Sequence, residues 1–241
     1  MRTGVIVLAR SPGTDGKVAQ RCADYLSSKG RKDVRIGYWK AEPDVFDLMT
    51  SMHDEGIDTF SILPLSISEG KNTVWLMPKA VSIPDNCGSW TMIDGKDVAI
   101  RFATALGADD RMADAILEEL GRPEDDVPVL IVTRGSPFSY SGKDVNYYSA
   151  VLRDAGWQVF SVSLHHGDGF DPVIERLRSS GARRMKVVPF LVSSESNSFR
   201  QMDDGIRRIS DGLGIGIEIL PTVTDLPAYL DILDSKVPKG W

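Results

Sequence analysis

The sequence predicts an α/β protein made of two similar doubly wound parallel-sheet lobes facing a central cleft. Three observations carry this expectation. Motifs recur at a displacement of 125 residues, short apolar strands alternate with helical patterns, and a polar stretch with Gly and Pro parts the two copies.

The repeat is read from its anchors. Val5–Ala9 runs into Arg10-Ser11-Pro12-Gly13, and Val129–Thr133 runs into Arg134-Gly135-Ser136-Pro137. Gly56 to Pro64-Leu65 matches Gly181 to Pro189-Phe190, and Asn72 matches Asn197. Small gaps lie between these anchors, since Gly30 pairs best with Gly156 and Pro43 with Pro172.

In the first copy, strands are expected near Val5–Ala9, Val34–Trp39, Thr59–Leu65 and Trp90–Ile93. Helices are expected near Gly16–Ser28, Pro43–Asp54, Asn72–Ala80 and Lys96–Leu120. In the second copy the strands are Pro128–Thr133, Gln158–Leu164, Met185–Val192 and Ile215–Leu220, and the helices Lys143–Ala155, Pro172–Ser180, Asn197–Asp211 and Leu226–Lys236. Strands this short, apolar and β-branched suit a parallel sheet covered on both faces. The polar join Gly121–Asp126 sets a boundary near residue 124, giving lobes 1–124 and 125–241.

Composition narrows the function classes. The chain has 241 residues, 42% hydrophobic and 26% charged, which excludes disorder and coiled coil and allows a substantial core. Its 28 basic residues are outnumbered by 34 acidic ones, so a net charge of −6 supplies no general attraction to nucleic acid or an anionic membrane, and neither is an expected partner. Cys22 and Cys87 make no CxxC pair, and no apolar run approaches the roughly 20 residues of a membrane helix. A soluble cytoplasmic protein is expected.

In open α/β sheets ligands bind beyond the carboxyl ends of the strands. The segments after Ala9, Leu65, Thr133, Leu164 and Val192 are therefore the candidates. Arg10 and Ser11, and in the second copy Arg134 and Ser136, place a guanidinium and a hydroxyl before a helix start, a combination suited to a carboxylate or phosphate. An ordinary turn with a Ser cap is the alternative. The loops Ser68-Glu69-Gly70-Lys71-Asn72 and Ser193-Ser194-Glu195-Ser196-Asn197 bring a carboxylate and an amide to equivalent places, where Asn72 and Asn197 can also be plain helix caps. His165 and His166 end a strand and point to opposite sides, so one at most faces a given cleft. Trp39, Trp75, Trp90 and Trp157 are read as packing residues.

These motifs resemble the class II chelatases of tetrapyrrole biosynthesis, in particular the long, duplicated sirohydrochlorin cobaltochelatases. Leu8-Ala9-Arg10-Ser11 and Thr133-Arg134-Gly135-Ser136 stand where that family has Gly-His-Gly-Ser. Glu42-Pro43 matches its acidic residue before Pro. Pro64 through Asn72 to Pro78 keeps the spacing of its second motif, and Glu195 through Met202 is similar to its second-lobe counterpart. Both family histidines are absent from both copies: Ala9 or Arg134 holds the first position, and Asn72 or Asn197 the second.

The resemblance implies a lyase that inserts Co, Ni or Fe into a sirohydrochlorin-type macrocycle in cobalamin or related biosynthesis. The metal would be a substrate, with no tightly bound cofactor. Here insertion would need other groups: His165 and His166 as metal ligands, those two with Glu195 and Glu69 as catalytic bases, and Arg10, Ser11, Arg134, Ser136, Lys71, Asn72 and Asn197 on the anionic substrate. A non-catalytic tetrapyrrole carrier or regulator, or another reaction on a smaller anion, is the alternative. Monomer and homodimer both remain open.

Overall fold

The computed structural model describes residues 2–135, 142–165 and 169–238. The first repeat contains β1 (Thr3–Ala9), α1 (Pro12–Ser28), β2 (Val34–Tyr38), α2 (Val45–Asp54) and β3 (Thr59–Pro64). A π-helical turn, Asn72–Leu76, then runs into α3 (Met77–Ala80), followed by β4 (Trp90–Ile93), β5 (Lys96–Phe102) and α4 (Asp110–Leu120). The second repeat contains β6 (Val129–Thr133), α5 (Lys143–Asp154), β7 (Val159–Ser163), α6 (Asp171–Ser180), β8 (Arg184–Phe190), α7 (Asn197–Leu213), β9 (Gly216–Ile219) and α8 (Pro227–Ser235).

The strands form two sheets, ordered β2-β1-β3-β5-β4 and β7-β6-β8-β9. All pairs are parallel except β4 with β5. Without β4 the two orders coincide, as a duplication requires. Val5–Ala9 of β1 and all of β3 are buried, because a central parallel strand is covered by helices on both faces. One core gathers Ile6, Leu8, Met49, Phe60 and Ile62, the other Leu130, Val132, Phe170, Val187 and Met202.

Local chemistry sets the helix ends. The Asp109 carboxylate accepts from the Arg111 amide to start α4, and the Ser196 hydroxyl accepts from the Phe199 amide to start α7. Gly214 ends α7 at φ +66°, a left-handed conformation natural to glycine.

The expected helix Lys96–Leu120 is not one element. Its first seven residues are β5, and the helix begins only at Asp110. Asp94 and Gly95 both have positive φ and close a two-residue turn between β4 and β5. After it Val98, Ile100 and Phe102 alternate inward with period two. The turn dipeptide and that alternation outweigh the helical propensity of a stretch rich in Ala.

Packing also divides the chain elsewhere than at residue 124. One compact unit comprises the chain up to Gly107 with the stretch from Leu230 onward, and the other is Ala108–Tyr229. The sequence repeat suggests a boundary near 124, whereas by packing α4 belongs to the second unit and most of α8 to the first. In the first unit Arg31 donates to Asp234, and Lys236 to Thr104 and the Ala105 carbonyl. In the second, the Tyr148 hydroxyl accepts from the Asp109 amide, and buried Lys186 donates to the Leu120 carbonyl at 2.7 Å, ending α4.

Lys186→Met should leave that carbonyl unpaired and lower stability by about 1.5–3 kcal/mol, read from urea unfolding followed by circular dichroism. Burial also pushes the Cys22 thiol up to about 12, while Cys87 is exposed. A thiol whose folded pKa is raised stabilises the fold below the ordinary value, and that contribution is lost as pH climbs toward 12. In native protein at neutral pH a thiol reagent should therefore label Cys87 alone, with Cys22 reacting only on unfolding; mass spectrometry of the labelled chain checks this.

Candidate functional site

In the first unit, β1, β2 and β3 all run parallel and release their chains at the same edge. Arg10 and Ser11 follow β1, Trp39 and Lys40 follow β2, and Ser66–Asn72 follows β3. The Lys40 amide donates to the Arg10 carbonyl and the Trp39 amide to the Ala9 carbonyl, which joins the first two loops. The Arg10 guanidinium carbon lies 6.0 Å from the centre of the Trp39 ring, and Lys40 Nζ lies 4.7 Å from it. Two cations thus gather on one half-buried indole, whose Nε1 is buried with no hydrogen-bond partner among the described residues.

Asp15 braces this corner. Its buried carboxylate accepts from the Arg10 amide at 3.0 Å. Burial raises the Tyr38 phenol above its ordinary value, and the charge of Asp15 adds to the shift. Ser11 occupies the cap position of α1 without capping it, its hydroxyl donating instead to Thr14. The space beside Gly13 is open.

The loop after β3 is built differently from what its sequence suggests. Glu69 faces inward: one carboxylate oxygen accepts from the Ala105 amide at 2.8 Å and the other from the Thr73 hydroxyl at 2.7 Å. Those bonds tie the loop to the chain after β5. Lys71 is exposed, and Asn72 opens the π-helical turn.

In the second unit Arg134 follows β6 and His165 follows β7, and both are exposed. Gly135 between strand and helix has φ +73°, and a Cβ there would lie 1.8 Å from Ser163 Oγ and 3.5 Å from His165 Cβ, so only glycine fits beside His165. After β8, Glu195 and Asn197 are exposed. Asn197 is not the cap of α7; Ser196 is, and the Asn197 amide oxygen accepts from Arg200. Ser136 and His166 lie outside the described residues.

Sequence reasoning assigned Trp39 to packing and passed over Lys40. Their position at the carboxyl end of β2 was the available signal. Among the described residues no three His, Cys, Asp or Glu side chains gather as a metal cluster, and no helix is long and apolar enough to cross a membrane. Glu69→Ala should release the Ala105 and Thr73 bonds together and cost about 2–3 kcal/mol, whereas Glu69→Gln should retain part of that; urea unfolding of both variants measures the difference.

Known proteins resemble this chain in sequence over its first repeat and in fold over its whole length. Residues 9–122 match the family model described as CbiX. A sirohydrochlorin cobaltochelatase of Methanosarcina barkeri is 28% identical over 107 residues, covering 43% of this chain and 82% of that protein. Among solved structures, SirB from Bacillus subtilis, determined with Fe3+, superposes with a TM-score of 0.75 at 16% identity, covering 98% of this chain and 94% of SirB. DR2241 from Deinococcus radiodurans, described as similar in structure to chelatases with two additional domains, gives 0.72 at 18% identity; the match covers all of this chain but only 55% of that longer one. The first repeat is thus similar in sequence to the CbiX family, and the whole chain shares its fold with SirB and DR2241.

Proposed function

We propose that this protein binds a sirohydrochlorin-type tetrapyrrole at the carboxyl edge of its first sheet. The observation that supports this most directly is the group formed by Arg10, Lys40 and Trp39. A macrocycle carrying carboxylates needs permanent cations for its rim and an aromatic face for its ring. An arginine can meet a carboxylate through two parallel N–H donors, and the open space beside Gly13 leaves room at the first turn of α1. Arginine and lysine stay charged at neutral pH, so this edge binds anions but takes up no pyrrole protons.

Metal insertion is the second reading, and the exposed His165 favours it. As a divalent Co, Ni or Fe ion enters the ring, two pyrrole N–H protons must leave. A neutral imidazole can receive one, and an exposed carboxylate such as Glu195 can receive the other. Glu69 suits this task less, because both its oxygens already accept hydrogen bonds. The metal is a substrate in this scheme.

Sirohydrochlorin titrated into the protein should quench tryptophan fluorescence. Arg10→Ala and Lys40→Ala should each raise the dissociation constant by about tenfold, the equivalent of losing ~1.4 kcal/mol. Unchanged affinity in both variants would sink the binding reading. Adding Co2+, Ni2+ or Fe2+ and following the absorption of the macrocycle then separates the two readings. A rate above the protein-free rate that falls in His165→Ala supports insertion; binding with no such rate supports a carrier.

A further inference from the structure

Each sheet has two edge strands, and three of the four edges are covered or charged. At β2 the Tyr38 amide is taken by the Pro43 carbonyl, and Arg35 pairs with Glu55. At β7 the Arg153 guanidinium caps the Val159 carbonyl. Strand β9 carries Glu218, which faces Lys186 at 3.7 Å. Such devices prevent one sheet edge from pairing with another.

Strand β4 has none of them. Its sequence Trp90-Thr91-Met92-Ile93 contains no charge and no proline, and Trp90 and Met92 are 60% and 53% exposed. Its backbone is open as well. Ile100 donates to the Ser89 carbonyl, so by antiparallel alternation the bonded pairs with β5 are Thr91 with Val98 and Ile93 with Lys96. The amides and carbonyls of Trp90 and Met92 therefore point off the sheet, and among the described residues nothing bonds to them.

We infer that β4 is a homodimerisation edge, pairing antiparallel with β4 of a second copy about a two-fold axis at Thr91. This register is self-complementary. Each Trp90 stands opposite the Met92 of the other copy as a bonded pair, so four N–H groups and four carbonyls become two reciprocal pairs. Paired residues share a face, which sets each indole beside a thioether.

Charge agrees with this direction. The turn end of β4 carries Asp94 and Asp97 against one lysine, Lys96, while Arg101 lies toward the opposite end on β5. Asp85 adds one carboxylate near that end, where it accepts from the Cys87 amide, so the complementarity is carried by Arg101 alone. An antiparallel copy brings each Arg101 end to an acidic turn. A second copy is also the occupant that closes the edge, since one pairing consumes it and the remaining edges are guarded. The strand is short, so the dimer is of micromolar affinity, below the interface size of tight assemblies.

Sedimentation velocity of the intact protein from about 1 to 300 μM should show mass rising from monomer toward dimer. Met92→Lys, at an exposed position, should weaken association by at least about tenfold while the circular dichroism spectrum and melting temperature stay unchanged. Spin labels on native Cys87 should give one interspin distance of roughly 2–4 nm, since about eight strand residues separate the two sites at ~3.4 Å each. A monomer throughout the range, association unaffected by Met92→Lys, or a distance outside that window would each overturn the proposal.

Discussion

Parallel strands buried on both faces constrain everything else in this protein. With β1 and β3 covered by helices, their amides and carbonyls can be satisfied only by neighbouring strands, and every connection must cross outside the sheet. A chain that enters each strand from one side leaves each at the other. In the first unit this collects Arg10, Trp39, Lys40 and the Ser66–Asn72 loop at one edge; in the second it collects Arg134, His165 and the Ser193–Asn197 loop. The residues in these loops are free to change because the sheets are held by Val, Ile, Leu and Phe beneath them. A fold held in this way tolerates different chemistry in its loops.

Much of the architecture was legible because the repeat and the strand pattern report backbone requirements. The matched Ser-Pro pairs and the Pro64 and Pro189 strand ends follow from two copies of one strand order. What escaped was either non-local or weakly coded. The Asp94-Gly95 turn was a local signal, yet the next residues also fit a helix until their alternation is counted against a sheet partner. The assignment of α4 and α8 to the two units was not readable at all, since it depends on contacts such as Arg31 with Asp234, more than 200 positions apart. In the loops beyond the strands, sequence supplied residue types but not side-chain direction. Glu69 turns inward to two hydrogen bonds, and Trp39 serves as a platform for two cations as well as a packing residue.

The two copies differ from each other in the chemistry of their loops. The first edge carries Arg10 and Lys40 in a corner braced by Asp15, and its remaining carboxylate, Glu69, is committed to holding a loop. The second retains an exposed imidazole at His165 beside a glycine fixed by close approach to Ser163. The two sheets thus offer different chemistry at their carboxyl edges, cations and an indole at the first and an imidazole at the second.

The same asymmetry reaches the sheet edges. The added strand β4 occurs only in the first unit, and there the chain omits the charged and capping side chains that guard β2, β7 and β9. An unguarded edge is costly to leave exposed, because unpaired amides and a bare indole recruit other chains indiscriminately. Its retention in a protein that guards the other three edges argues that β4 is occupied by a specific partner. Trp90 and Met92 alternate with inward-facing Thr91 and Ile93, so a one-residue slip in pairing would set the outward-bonding backbone of one copy against the inward-bonding backbone of the other. Of the registers that avoid this mismatch, the one centred on Thr91 pairs Trp90 and Met92 of both copies with each other.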